Sequence, residues 1–583
     1  MLIPLEAAEP IDLRADICVI GSGPTGQAVA RTLAGGAIDV LLVEAGDLGP
    51  TRWGRRFSST CTPSVGRQYP DAGHHVMIRV GGTSDRWAVH LDPDQPAGET
   101  VGLRLCRLDE VDLAARPHLG VDPWPIDLSD LEPHYSAAES LFGITAVGTD
   151  GSCRTTDQDG VSTKLFWAAP SDPVLGGDIA GVRTVYRCPI RSLVADRRGK
   201  ILRAVAVDRT GAAIEVHADV FVLALGTVQT TRLLLDSPWT EAPSVANSSG
   251  LVGRYLSDHP QLIIGQLTVE PGADLDRILA LAPSTESGPL GPVVRWPNLV
   301  TSPHRAATSP VARLAASLLA AGPLPRTQGL RNRIPRPYGG RTGAIDAASV
   351  LHDSLLDRSF AWSGLRQIPR LLAGLDEVAI EAYRSTGHRP RCRPEEPHWA
   401  HLAADGSLRA FQIFAVAEQL PNPDNRIELT DRTNQIGAHR PRITWRWSNE
   451  DIRYAERAAD DLRHALASYG IGRVLSRKGR ASMLKVSSHH AAGTTRMSAS
   501  PTEGVVDRDL RAHDHPNLYV AGSSVFNASG FANPTLTDVA LGIRLGRHLL
   551  DGTSPGQAGR CNAVRPPLGD DAVETVRNAG RGR

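Results

Sequence analysis

An unbroken apolar run over residues 17–20, ICVI, enters a glycine-spaced turn, and apolar positions then recur at helical spacing to about residue 33. A second apolar run, VLLV, covers 40–43. Short continuous apolar runs bounded by glycine predict strands buried on both faces, and the 3.6 period between them predicts an amphipathic helix. From residue 182 several strand-like segments follow. They end in an apolar strand over 220–225, a turn at Gly226 and a helix over about 228–235. FQIFAVAEQ and RPRITWRWS alternate as sheet strands do. NEDIRYAERAADDLRHALASYG keeps one apolar face throughout and is predicted as a helix capped by Ser448 or Asn449. Between about 265 and 410 the chain is rich in proline, glycine, arginine and alanine, and helices are predicted there over roughly 309–321 and 365–383. Residues 553–583 are polar and rich in glycine, proline and arginine, which predicts a disordered tail.

Composition narrows the class. With 583 residues, 41% hydrophobic and 22% charged, the chain has material for more than one globular domain. A formal net charge of zero supplies no field that would recruit nucleic acid or an anionic membrane. The 7 cysteines are odd in number and none are in CxxC spacing, so neither a zinc site nor a disulfide framework is predicted. The N-terminus lacks a basic stretch followed by a long apolar run, and no segment of about twenty apolar residues offers a membrane span. The expected setting is cytoplasmic, with no nucleic-acid partner.

The opening strand, turn, helix and strand contain a dinucleotide fingerprint, with Gly21, Gly23 and Gly26 in the turn and Glu44 at the end of the second strand. Gly21 permits the tight turn, Gly23 lets backbone approach a pyrophosphate, and Gly26 lets the helix pack on the sheet. The helix N-terminus faces the phosphates with partial positive charge, and Glu44 is placed to accept hydrogen bonds from adenosine ribose hydroxyls. The pattern by itself does not separate FAD from NAD. A second glycine pair, in VGGTSDRW, brings Gly81, Gly82, Thr83 and Ser84, and the strand entering Gly226 suggests another backbone approach to a ligand.

These motifs, with GLVGRYLSDHP, AEQLPNPDNRIEL and the long block from HAAGTTRM through NLYVAGSSVF to NPTLT, occur in an order that resembles the glucose–methanol–choline (GMC) oxidoreductases, FAD-dependent alcohol oxidases and dehydrogenases. PWPI and NPTLT look most like sugar-oxidising members, among them pyranose oxidases and aminoglycoside-pathway dehydrogenases. The resemblance implies an α/β protein in which a Rossmann-like FAD-binding domain is built from discontinuous segments, 1–90, 185–262 and 480–552. A sheet-based α+β substrate domain would take 91–184 and 263–479. It further implies that Gly81 to Ser84 lie along the pyrophosphate and flavin, and that Gly522, Ser523, Asn533, Pro534 and Thr535 approach the ribityl chain and ring. Gly522 stands where many members carry aspartate. Members with covalent FAD carry a histidine before the tryptophan, as in STHW. This chain has Arg86 there, so noncovalent FAD is expected.

Oxidising an alcohol needs a base for the hydroxyl proton and a hydride acceptor aligned with the carbinol carbon. On the family pattern His490, four residues before Thr494, is the base, and Asn533 orients the hydroxyl. A helix starting at Pro534 would aim its positive end at the flavin. His489 is expected to pack or touch substrate, and no metal site is expected from the pair. The implied reaction is oxidation of a hydroxyl on a sugar, glycoside or aminoglycoside-like polyol to a carbonyl, with oxygen or a quinone-like carrier as final acceptor. The alternatives are a dehydrogenase of a non-sugar alcohol and a lyase that keeps FAD structurally.

Overall fold

A computed structural model describes residues 2–6, 13–60, 65–66, 69, 76–84, 89–90, 100–101, 103–144, 160–169, 177–321, 410–476, 483–487 and 489–552. Arg14–Ile20 and Val40–Val43 pair in parallel, as two apolar runs joined by a helix must, and Pro24–Leu33 is that helix. The sheet continues on one side through Val182–Tyr186 to Leu2–Pro4, and on the other through Ala213–Leu223, Ile201–Val207 and Ile190–Ala195. The eighth strand, Leu518–Val520, lies parallel to the end of Ala213–Leu223. Thus Arg14–Ile20, from near the start of the sequence, and Leu518–Val520, from far along it, flank the same central strand.

Helix Thr535–Gly552 packs along Pro24–Leu33 and also against helix Leu128–Leu141. Small residues permit the first contact: a Cβ on Gly546 would stand 2.7 Å from the Thr32 Cβ. The second is pinned by a 2.9 Å hydrogen bond between the Tyr135 and Thr537 hydroxyls, both buried.

A nine-stranded sheet forms the other layer. Its order is Val474–Ser476, Pro260–Thr268, Ala410–Ala417, Leu314–Ala321, Gly291–Thr301, Val161–Ala169 and Leu103–Leu105, with Ser284–Gly288 and Met483–Ser487 pairing at the sides. Its apolar core is covered by helix Asn449–Ala467. Ser448 caps that helix: its hydroxyl accepts from the Asp451 N–H at 2.9 Å, and the Asp451 carboxylate accepts from the Ser448 N–H at 2.7 Å. Among the described residues no helix is long and apolar enough to cross a membrane.

One sequence expectation is overturned. The helix predicted over 309–321 is instead the strand Leu314–Ala321, paired antiparallel with Ala410–Ala417 and Gly291–Thr301. LAASLLAA has high helix propensity, but Leu314 to Leu318 are buried without alternation because the strand is central and covered on both faces. A continuous apolar run carries no period that tells a buried strand from a helix. The helix predicted over 365–383 and the tail 553–583 lie outside the described residues.

Candidate functional site

The fingerprint turn forms a glycine-walled cradle. A Cβ on Gly26 would stand 1.9 Å from the Gly21 carbonyl oxygen, so only glycine lets the helix start this close to the turn. Gly23 is different: a Cβ there would meet nothing within 4 Å, so its backbone is open on that side. The Gly81–Ser84 segment lies directly against it, since a Cβ on Gly82 would stand 3.0 Å from the Gly23 Cα and the Gly81 N–H donates to the Ser22 hydroxyl at 3.2 Å. Thr83 accepts from the Met77 N–H, and Ser84 donates to the Gly81 carbonyl. Glu44 is buried and accepts from the Ser22 N–H at 3.1 Å, the Ser22 hydroxyl at 2.8 Å and the Gly46 N–H at 2.9 Å. Burial pushes its carboxyl above the usual range, against these hydrogen bonds. Its first task is therefore to brace the turn, and its remaining lone pairs are what a ribose could use.

The HxxGT segment runs beside the end of the same sheet. Thr227, which follows Gly226 at a helix start, donates to the Ala491 carbonyl at 2.6 Å, and Ser523 donates to that carbonyl at 2.9 Å. Gly493 donates to the Ser523 carbonyl and has a φ of 89°; a Cβ there would stand 2.4 Å from the Tyr255 carbonyl oxygen. The glycine of the motif is thus demanded by close backbone approach. The Thr494 hydroxyl is 2.7 Å from that of Thr231.

His489 adopts a φ of 60°, a left-handed backbone conformation uncommon for a residue other than glycine. His490 is half-buried, and its Nδ1 lies 3.1 Å from Nδ1 of the buried His259. The Asp258 carboxylate accepts the His490 N–H at 3.1 Å, the His259 N–H at 2.6 Å and the Tyr69 hydroxyl at 2.6 Å. Asp258 and His259 belong to the GLVGRYLSDHP segment, where nothing local announces a contact across 231 residues.

Asn533 and Pro534 lead into helix Thr535–Gly552. Its first turn is tied to the same hub, because the Ser523 N–H donates to the Asp538 carboxyl while Ser523 and Gly493 share a backbone bond. Burial drives that carboxyl well above the ordinary aspartate range. The turn at Gly522, with a φ of 119°, therefore links the His490 segment to the helix that follows Asn533. Arg86 and Trp87 lie outside the described residues.

Beside Phe531 and Gly530 sits an ionic network that is largely buried. Asp109, Asp112 and Glu418 are matched by Lys164, Arg116 and Arg313. Arg313 donates to Asp112 at 2.8 Å and to Asp109, and its guanidinium stacks over the Phe531 ring at 4.4 Å. Gly530 fits only because it lacks a side chain: a Cβ would stand 2.8 Å from Asp112 Oδ1. Burial raises the Asp109 and Glu418 carboxyls, but Lys164 and Arg313 beside the first, and Arg116 beside the second, hold both below their ordinary values.

His489 keeps accessible surface although protein surrounds it on most sides, and this dehydration pushes its pKa down to about 4. Since the unfolded chain takes up that proton near pH 6.5, acid costs stability between the two values. Above about pH 5 the ring is neutral, so His489→Asn is expected to leave the acid limb of the kcat/KM profile in place. A shift of that limb by about one pH unit would transfer the proton-accepting role to His489.

Residues 421–542 match the family described as GMC oxidoreductase. The 2-methyl-1,2-propanediol dehydrogenase of Mycolicibacterium austroafricanum is 23% identical, over 92% of this chain and 95% of that protein. The fructose dehydrogenase large subunit of Gluconobacter japonicus is 22% identical, over 93% and 99%. The 6'''-hydroxyparomomycin C oxidase of Streptomyces lividus is 23% identical, over 91% and 90%.

Proposed function

Since the chain belongs to the glucose–methanol–choline oxidoreductases, FAD enzymes that act on CH–OH groups, we propose that it oxidises a hydroxyl of a sugar, glycoside or aminoglycoside-like polyol to a carbonyl. The observation that carries this reading is the pairing of a glycine-walled cradle with a clamped imidazole: Gly23 presents open backbone, and one carboxylate, that of Asp258, fixes the peptide N–H of His490. When bound, FAD supplies the acceptor for the carbinol hydride.

The protein's own work is then proton handling and orientation. In this reading His490 takes the hydroxyl proton at its imidazole ring, and the oxygen keeps the electron pair that becomes the carbonyl as the hydride leaves. Asn533 orients that oxygen. Gly21, Gly23, Gly26 and Gly81 to Ser84 would line the dinucleotide, with Glu44 toward the ribose, and Gly226, Gly522, Ser523, Asn533, Pro534 and Thr535 would line the flavin end. The link is noncovalent in this reading, because Arg86 offers no nucleophile where linked relatives carry histidine. Oxygen or a quinone-like carrier takes the electrons onward.

The substrate class draws support from the names of two relatives, a fructose dehydrogenase and an aminoglycoside oxidase. The name of a third, a propanediol dehydrogenase, favours the second reading, a small non-sugar alcohol. Anaerobic mixing with sugars, glycosides, aminoglycosides and simple diols separates them by loss of oxidised-flavin absorbance. Bleaching by at least one polyol of the first three groups is expected. Bleaching by simple diols alone would move the assignment to the second reading. Substrate turnover with unchanged flavin absorbance would identify a lyase.

A further inference from the structure

We infer that Asp538 is a cofactor-binding residue whose unpartnered carboxyl oxygen takes a hydroxyl of the ribityl chain when FAD is bound, an inference that rests on the flavin site and on neither the substrate class nor the base proposed above. Gly542 and Gly546 bring helix Thr535–Gly552 against Pro24–Leu33. A Cβ on Gly542 would stand 3.0 Å from the Thr25 carbonyl oxygen and 3.4 Å from the Ala28 Cβ, and one on Gly546 would stand 2.7 Å from the Thr32 Cβ. Contacts that advance together along both helices mean that the two run parallel, with their N-termini at the same end. Asp538 precedes Gly542 by about one helical turn, or about 5.4 Å. It therefore lies at the end where the fingerprint turn opens Pro24–Leu33.

Burial along the helix agrees with this placement. Residues three or four apart share a helix face, so Thr535, Asp538, Gly542 and Gly546 line one side. The two glycines are buried under Pro24–Leu33, whereas Thr535 and Asp538, beyond its start, keep accessible surface. Leu536, Thr537, Val539, Ala540 and Leu541, on the other sides, are all buried. The uncovered part of the face thus lies between the fingerprint turn and the Gly522 turn. Both offer open backbone there, since a Cβ on Gly23 or on Gly522 would meet nothing within 4 Å. A dinucleotide reaching from the fingerprint cradle to the Asn533 end passes this place. In FAD the part that joins the pyrophosphate to the ring is the ribityl chain, and it carries hydroxyls.

The Asp538 carboxyl is only half engaged. It accepts the Ser523 N–H, which fixes it against the Gly522 turn. Its Oδ1 is buried and has no hydrogen-bond partner. A buried oxygen left unmet costs stability until something supplies its partner. Burial also pushes the carboxyl well above the ordinary aspartate range, which favours the uncharged acid. An uncharged acid both donates and accepts, as a hydroxyl does. It sets no negative charge against the phosphates, which a carboxylate at this place would repel. A phosphate could use only the donor half of such a group, and a ribityl hydroxyl can use either.

The test measures cofactor affinity without turnover. The holoenzyme is equilibrated with FAD and an excess of FAD analogues that each lack one ribityl hydroxyl, and the flavins it retains are separated and counted by chromatography. The native protein is expected to prefer FAD by about tenfold over the analogue lacking the partner hydroxyl, and by less than about threefold over the others. Asp538→Ala is expected to bind FAD about tenfold more weakly and to hold FAD and that same analogue within about twofold of each other. Asp538→Asn, whose amide also donates and accepts, is expected to keep the preference and to bind FAD within about threefold of native. A native protein that holds every analogue as well as FAD overturns the inference. So does an alanine variant that weakens FAD and all analogues alike, which is the signature of a residue that only braces the Ser523 turn or meets the pyrophosphate. Should Asp538→Ala fail to fold, the native protein and Asp538→Asn decide: the inference stands if both prefer FAD over the same analogue and falls if either does not. Failure of the base or substrate reading is separate, since it would show in flavin bleaching and leave these affinities unchanged.

Discussion

His490→Ala is expected to slow substrate-driven flavin reduction by about 10²–10⁴-fold, the range that a positioned general base supplies. His489 is neutral near pH 7 and sits on left-handed backbone at its own position. His259 is buried behind His490, its Nδ1 engaged with the ring it would have to replace. Asp258 has both oxygens on peptide N–H and phenol donors. None of these groups can move into the vacated position without breaking the clamp that holds the segment. The measurement is stopped-flow bleaching under anaerobic conditions at saturating substrate, with FAD content confirmed from the absorbance spectrum. A loss in kcat with little change in KM is the expected pattern, since the proton is transferred only on the way to the transition state. Native bleaching rates in the alanine variant would remove His490 from the mechanism.

The second large effect is on stability. Arg313→Leu is expected to destabilise the holoenzyme by about 3–5 kcal/mol, because it leaves buried carboxylates without their partner. Asp112 loses a 2.8 Å donor and Asp109 loses one of two cations, while Phe531 loses the guanidinium stacked on it. Phe531 lies two residues before Asn533, so FAD release and loss of activity should accompany the lowered unfolding transition. Adding Asp112→Asn to Arg313→Leu should restore part of the loss, which a double-mutant cycle reads directly. If the single variant unfolds at the native temperature and denaturant concentration, the network is not holding this region. The pH sign follows from the acids. Asp109 and Glu418 have folded values below their ordinary 3.8 and 4.5, so their contribution is complete above about pH 4.5 and drains away as pH falls through the lower folded values. In Arg313→Leu the same acid loss begins at higher pH.

What the sequence made legible is what local spacing encodes. The fingerprint turn, the two flanking strands and the capped helix Asn449–Ala467 each follow from patterns a few residues long. The HxxGT and NPTLT elements pointed to His490 and Asn533 by resemblance, and the structure supplies a physical reason for the glycine between His490 and Thr494. Other features are relations between distant segments. His259 meets His490 across 231 residues, and Arg116 meets Glu418 across 302. No composition or period predicts such a pair. Leu314–Ala321 shows the converse: its helix propensity was clear, and two neighbouring strands overrode it.

Strand Leu518–Val520 joins the first sheet beside Ala213–Leu223, and Asn517 seals the junction by donating to the Asp219 carbonyl from 298 residues away. During synthesis, one edge of that strand therefore emerges long before the segment that covers it. An uncovered parallel edge is an invitation to wrong pairing. Leu518–Val520 must be made before the floor beneath the Gly522 turn exists, so loading with FAD is expected to wait for it. Supplying cofactor early in translation is accordingly not expected to rescue a chain stalled before residue 520.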